Sequence, residues 1–229
     1  MSLFRDRPQA GRKLAESLRT YAGRQDVTVL GLPRGGVPVA FEVARALAAP
    51  LDVFVVRKLG VPGHRELAMG AVASGGVRVL NDEVVRLLGV PPERMDAVVA
   101  VERRELERRE KLYRGSRAPL DLQGRTVILV DDGLATGSTM RAAVAAARRL
   151  GPRRVIVAVP VGARPACLML AAEADQVNCL SMPEPLGSVG QWYESFGQTS
   201  DEEVSALLAQ SATEAAGERT NRLPEARAV

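Results

Sequence analysis

The chain is poor in the residues that build metal and disulfide frameworks. It carries two cysteines, Cys167 and Cys179, and one histidine, His64, in 229 residues. Neither cysteine stands at ligand-like spacing from another Cys or His, which argues against a zinc site and a disulfide scaffold. No apolar run approaches the ~20 residues needed to span a bilayer, and the opening MSLFRDRPQAGRKL lacks the apolar core of a signal peptide. A soluble, cytoplasmic protein with no membrane partner is expected. Charge of one sign is also lacking in excess: 31 basic residues face 27 acidic ones, a net charge of +4. That suits an anionic small molecule as well as nucleic acid. The absence of a clear helix-turn-helix argues against DNA binding.

What is present is ordinary globular material, 46% apolar and 25% charged, in a chain long enough to bury a core without staples. Helical spacing of Ala10, Leu14 and Leu18 predicts an amphipathic helix over 6–22. Apolar β-rich runs at 27–32, 51–58, 126–132, 154–161 and 176–180 alternate with helical stretches at 37–49, 139–151 and 165–174. Such alternation predicts a doubly wound, mainly parallel α/β sheet covered on both faces. Between 60 and 70, GVPGHRELAMG reads as a glycine-rich loop that covers a site, with His64 exposed in it. Residues 71–80 read as a hairpin around Ser74-Gly75-Gly76. A helical stretch over 82–113 breaks at Gly89-Val90-Pro91-Pro92, and its run ERRELERREKLYRGSR reads as a solvated face with pairs such as Glu105–Arg109. A single domain over 1–210 is expected, with a helical insertion at about 82–120. A short helix capped near Ser200 then leads into a loose polar tail from 211.

In such sheets ligands sit beyond the carboxyl ends of the strands, where the chemistry-bearing residues fall. The stretch VILVDDGLATGSTM (127–140) runs from four apolar residues into Asp131 and Asp132, then into small residues and hydroxyls. Ala135, Thr136, Gly137, Ser138 and Thr139 lie between a strand and a helix, where backbone N–H groups and the helix N-terminus can cradle a phosphate. Neither the Walker spacing nor a dinucleotide fingerprint is present. Carboxylates repel phosphate, so the two acids must face another part of the same ligand; sugar hydroxyls or a divalent metal are natural partners. A phosphate cup beside a diol clamp describes a ribose 5-phosphate site. The acidic pocket of a receiver domain is the competing reading, but it normally opens a chain and does not continue into A-T-G-S-T.

VILVDDGLATGSTM resembles the phosphoribosyl pyrophosphate (PRPP) signature of type I phosphoribosyltransferases. The likeness extends to the strand and helix pattern of about 24–200. It implies transfer of ribose 5-phosphate from PRPP to a base or other nitrogen nucleophile, with Mg²⁺ as cofactor. Asp131 and Asp132 would bind the ribose hydroxyls, directly or through the metal and water, and 135–139 would hold the 5-phosphate. LPRGG (32–36) resembles the family's pyrophosphate loop, with Arg34, Gly35 and Gly36 at its tip and a cis peptide expected at Pro33–Arg34. Arg57 and Lys58 resemble a basic pair that reaches pyrophosphate. A C-terminal hood at about 181–205 would grip the acceptor through Trp192 and Tyr193. Ala135 stands where 6-oxopurine enzymes of the family carry an aspartate, which disfavours hypoxanthine and guanine. The resemblance also implies a homodimer. It leaves open a relative that binds PRPP or a nucleotide in a regulatory role without transferring anything.

Overall fold

The computed structural model describes residues 3–221. In chain order the elements are α1 (Arg7–Ser17), β1 (Val27–Gly31), α2 (Gly36–Leu47), β2 (Leu51–Val53), β3 (Val56–Val61), β4 (His64–Ala73), β5 (Val77–Leu80), α3 (Asp82–Leu87), α4 (Pro92–Arg114), β6 (Thr126–Val130), α5 (Ser138–Arg148), β7 (Arg154–Val161), α6 (Arg164–Ala171), β8 (Gln176–Ser181) and α7 (Asp201–Asn221). The central sheet has the order β2-β1-β6-β7-β8, and every neighbouring pair is parallel. Alternate residues feed opposite layers, as a pleated strand requires. Val29, Ile128, Ile156 and Ala158 pack with α1, α2 and α7. Leu30, Val127, Leu129, Val157 and Val159 pack with α5 and α6. Burial on both faces is why these strands read as continuous apolar runs. Ala10, Leu14 and Leu18 are all buried, as their spacing predicts.

Two expectations about the strands are corrected. The run at 51–58 is two strands in two sheets, because β2 ends at Val53. Phe54 N then donates to Gly31 O at 3.0 Å, while Val55 N donates to Ser74 Oγ at 2.9 Å. The chain crosses between sheets at this point, with Phe54 and Val55 buried in opposite layers. The stretch at 60–70 is not a loop but the arms of an antiparallel hairpin, part of a second sheet β3-β4-β5. Leu59, Val61, Met69 and Val72 fill a cluster beneath Val90 and Val99. Two of the glycines that disguise this alternation have a clear role: a Cβ on Gly70 would collide with Val79 O across the sheet, and Gly63, at φ 87°, turns the hairpin.

The turn at 74–76 joins β4 to β5 with Gly75 and Gly76 at positive φ, and the break near Gly89 separates α3 from α4. The last helix is longer than expected. Ser200 Oγ caps it by accepting from Glu203 N at 3.1 Å, Val204 and Leu208 are buried, and it continues to Asn221, so 211–221 is helical rather than loose. The rest of the expected tail, 222–229, lies outside the described residues.

Helix α4 is bolted to the sheet edge at its C-terminal end. Arg114 makes a two-pronged bond to Asp52 on β2, at 3.1 and 3.2 Å from Nε and 3.1 Å from Nη2, with side chains 12% and 15% exposed. Asp52→Ala leaves that guanidinium nearly buried without a counter-charge, its Nη2 still bonded to Ala118 O, and is expected to cost about 2–4 kcal/mol in urea unfolding. A loss below about 0.5 kcal/mol would show that the helix is held by its apolar contacts alone.

Candidate active site

The carboxyl ends of β1 and β6 are neighbours, since Gly31 pairs with Val130. The turns that follow them therefore meet, and each leads into a helix, α2 or α5, whose positive N-terminus opens on the same side. After β6, Gly133 to Met140 line a recess of 190 Å³ that Val189 completes from the C-terminal loop. Thr136 Oγ1 and Ser138 Oγ share a hydrogen bond at 2.9 Å. Gly137 sits at φ 73° immediately before α5, and a Cβ there would stand 3.1 Å from Ala166 Cβ. The chain thus turns sharply into α5, whose first residues Ser138, Thr139 and Met140 line the recess.

The turn after β1 is wedged against the acid pair. Its Pro33–Arg34 peptide is cis, as expected. A Cβ on Gly36 would lie 2.6 Å from Val130 O and 3.0 Å from Asp131 Oδ1, and one on Gly35 would collide with Asp132 Oδ2. Only glycine permits this approach. Asp131 Oδ1 accepts from Asp132 N at 2.9 Å. Burial, and then the adjacent Asp132 charge, push the Asp131 carboxyl well above its ordinary range. Burial also raises Asp132, although Arg7 opposes it.

The remaining predicted residues separate. Lys58 Nζ donates to Ser138 Oγ at 2.6 Å, which brings this lysine to the lining of the recess. Arg57, one residue earlier on the strand, points to the other face and pairs with Glu102 of α4 at 2.7 Å. Arg34 extends from the turn toward α7, with Nη1 3.9 Å from Asp201 Oδ1. Tyr193 is buried, with its ring between Phe4 and Phe196, and its hydroxyl donates to Asp132 O at 2.6 Å. It braces the acid pair from below instead of presenting a stacking face. Half-buried Trp192 donates through Nε1 to Leu186 O at 2.9 Å. His64 is exposed at the start of β4.

Three residues near the site escaped the sequence reading. Arg7 binds Asp132 with both Nε and Nη2 at 2.9 Å. Asp201 accepts from Tyr113 at 2.6 Å, and burial with that bond lifts the tyrosine to about 12. Arg7 opens a helix and Asp201 looks like ordinary first-turn acid on another. Neither carries a local signal that names its distant partner.

The raised carboxyls make a stability prediction. The folded chain holds protons on Asp131 that the unfolded chain has already lost, so ionised Asp131 is destabilising above the ordinary carboxylate range and neutral in effect below it. Asp131→Asn should raise the melting temperature at pH 7 by about 2 °C or more, and the gain should vanish below pH ~3.5, where both states are protonated. Thermal scans at the two pH values check this; a lower melting temperature at pH 7 would contradict it.

Comparison with known proteins agrees with this geometry. The model of the phosphoribosyl transferase domain matches residues 5–190. A Mycobacterium tuberculosis H37Rv protein, provisionally named a phosphoribosyl transferase, is 52% identical over 208 residues, covering 91% of this chain and 47% of its own. The chain thus spans about half the length of that relative. The crystal structure of TT1426 from Thermus thermophilus is 45% identical with a TM-score of 0.82, covering 92% of this chain and 99% of that one. The bifunctional protein PyrR of Thermus thermophilus is 28% identical over 147 residues, 64% of this chain and 62% of its own. Among the described residues no helix is long and apolar enough to cross a membrane. Matched from the first helix to the edge of the aromatic loop, the chain belongs to the phosphoribosyl transferase domain family.

Proposed function

We propose that the chain transfers ribose 5-phosphate from PRPP to a nitrogen nucleophile and releases pyrophosphate. One observation carries this reading: a phosphate-sized recess, a carboxylate pair and a glycine turn adjoin at the ends of two neighbouring strands. The recess amides, the α5 N-terminus and Lys58 hold the 5-phosphate. Asp131 and Asp132 accept hydrogen bonds from the ribose hydroxyls. Arg34 and the α2 N-terminus face the leaving pyrophosphate. The transition state resembles an oxocarbenium ion, as in glycoside chemistry, so the protein contributes position and fixed charge more than covalent chemistry.

Among the described residues no three His, Cys, Asp or Glu side chains gather to hold a metal. Two adjacent carboxylates fit Mg²⁺ nonetheless, because that ion is usually held by one or two carboxylates together with substrate phosphates and water. Asp131 and Asp132 would share it with PRPP, and it would offset charge on the departing pyrophosphate.

For the acceptor, Ala135 at the exposed rim of the recess has no carboxylate to take a proton from a 6-oxopurine. Adenine, a pyrimidine or another nitrogen nucleophile is the better match. Pyrophosphate release from Mg²⁺ and PRPP, measured across a panel of bases, tests the reading. Turnover is expected with at least one acceptor, about 100-fold slower in Asp131→Asn, and hypoxanthine and guanine should give under a tenth of the best rate. PRPP binding without pyrophosphate release from any acceptor would instead point to a binding protein.

A further inference from the structure

Residues 3–7 and 192–197, at opposite ends of the fold in sequence, run side by side. Leu3 N and Phe4 N both donate to Trp192 O, at 2.9 and 3.0 Å, while Glu194 N donates to Phe4 O at 2.9 Å and Ser195 N to Arg5 O at 2.8 Å. The rings of Phe4, Tyr193 and Phe196 stack along this seam, with centroids 5.4 and 4.9 Å apart. Arg7 follows directly as the first residue of α1.

Its guanidinium uses every side. Nε and Nη2 lie 2.9 Å from Asp132 Oδ2, Nη1 donates to Gly197 O at 2.7 Å, and Cζ rests 3.9 Å above the Phe196 ring. The Arg7 and Asp132 side chains are only 11% and 17% exposed, so solvent and salt screen the pair weakly. A cation is poorly placed at the positive end of a helix. Its position there is explained by what it reaches, not by α1. The planar fork suits this double attachment, because two nitrogens serve one carboxylate oxygen while a third remains for the loop.

We propose that Arg7 is a positioning residue of the ribose site. It fixes the Asp132 carboxylate and clamps the aromatic loop to it, so that the acid pair and the loop that completes the recess are held as one unit. This inference rests on the PRPP reading above. It places a residue from the extreme N-terminal side of the fold in control of a site built after β6.

Calorimetric titration of PRPP with Mg²⁺ tests it, using wild type, Arg7→Met, Arg7→Lys, Asp132→Asn and the double variant Arg7→Met/Asp132→Asn. Arg7→Met is expected to weaken binding more than tenfold. Arg7→Lys keeps the charge but not the fork and should fall between Met and wild type. The double variant should lose less affinity than the two single losses combined, because Arg7 acts largely through Asp132; a general structural role would give additive losses. Wild-type affinity in either single Arg7 variant, a lysine no better than methionine, or additive losses would each overturn the inference while PRPP binding itself stands. Absence of PRPP binding by the wild type would overturn the underlying reading and this inference with it. If Arg7→Met shows no cooperative melting, Arg7→Lys decides alone: a two- to tenfold loss supports the role, and unchanged affinity refutes it.

Discussion

Two carboxyl groups on consecutive residues, at the end of a strand buried on both faces, form the constraint around which the rest of the site is arranged. Desolvation and mutual repulsion both oppose them. The fold answers with a donated backbone amide to Asp131, a guanidinium on Asp132, and the positive end of α2 brought close by Gly35 and Gly36, where no side chain would fit. These measures offset the cost only in part, since both carboxyls remain above their ordinary range. A site that stays electrostatically unsatisfied until a hydroxyl-rich or cationic ligand arrives is what a binding function requires.

The larger architecture follows from serving that strand end. Parallel pairing of β1 with β6 puts their carboxyl ends side by side, so the turn and the recess need no long excursion to meet. The helices at 82–120 look like an insertion in sequence, yet α4 packs on the antiparallel sheet that carries Lys58 to the recess. They also carry Tyr113 to the Asp201 that faces Arg34. The N-terminal segment and the aromatic loop close the structure from the other side.

How much of this was legible depended on the range of the signal. The central strands were readable because burial on both faces leaves continuous apolar runs. The acid pair and the small-residue recess beside it are readable because a single contiguous stretch holds them. The cis peptide was anticipated from LPRGG by resemblance. The hairpin at 60–70 is hidden because its glycines, Gly70 at a close sheet contact and Gly63 in the turn, imitate a loop. Arg57 and Lys58 looked equivalent, and only strand alternation together with the position of α4 separates the one that reaches the recess. In sequence Tyr193 offers an aromatic face, whereas the fold buries that face and uses its hydroxyl. Arg7 and Asp201 had no local signal, because each acts on a residue far away in sequence. The resemblance supplies the family, but the pairing of Arg7 with Asp132 emerges only from tertiary contacts.

The central claim is that recess, acid pair and glycine turn form one site for a single ligand. An electron-density map of the protein crystallised with PRPP and Mg²⁺ tests it most directly. The account predicts the 5-phosphate among residues 134–139, the ribose hydroxyls on Asp131 and Asp132, and the pyrophosphate along residues 34–36. A ligand that occupies the recess while leaving the acid pair and the turn untouched, or that binds elsewhere, would contradict it.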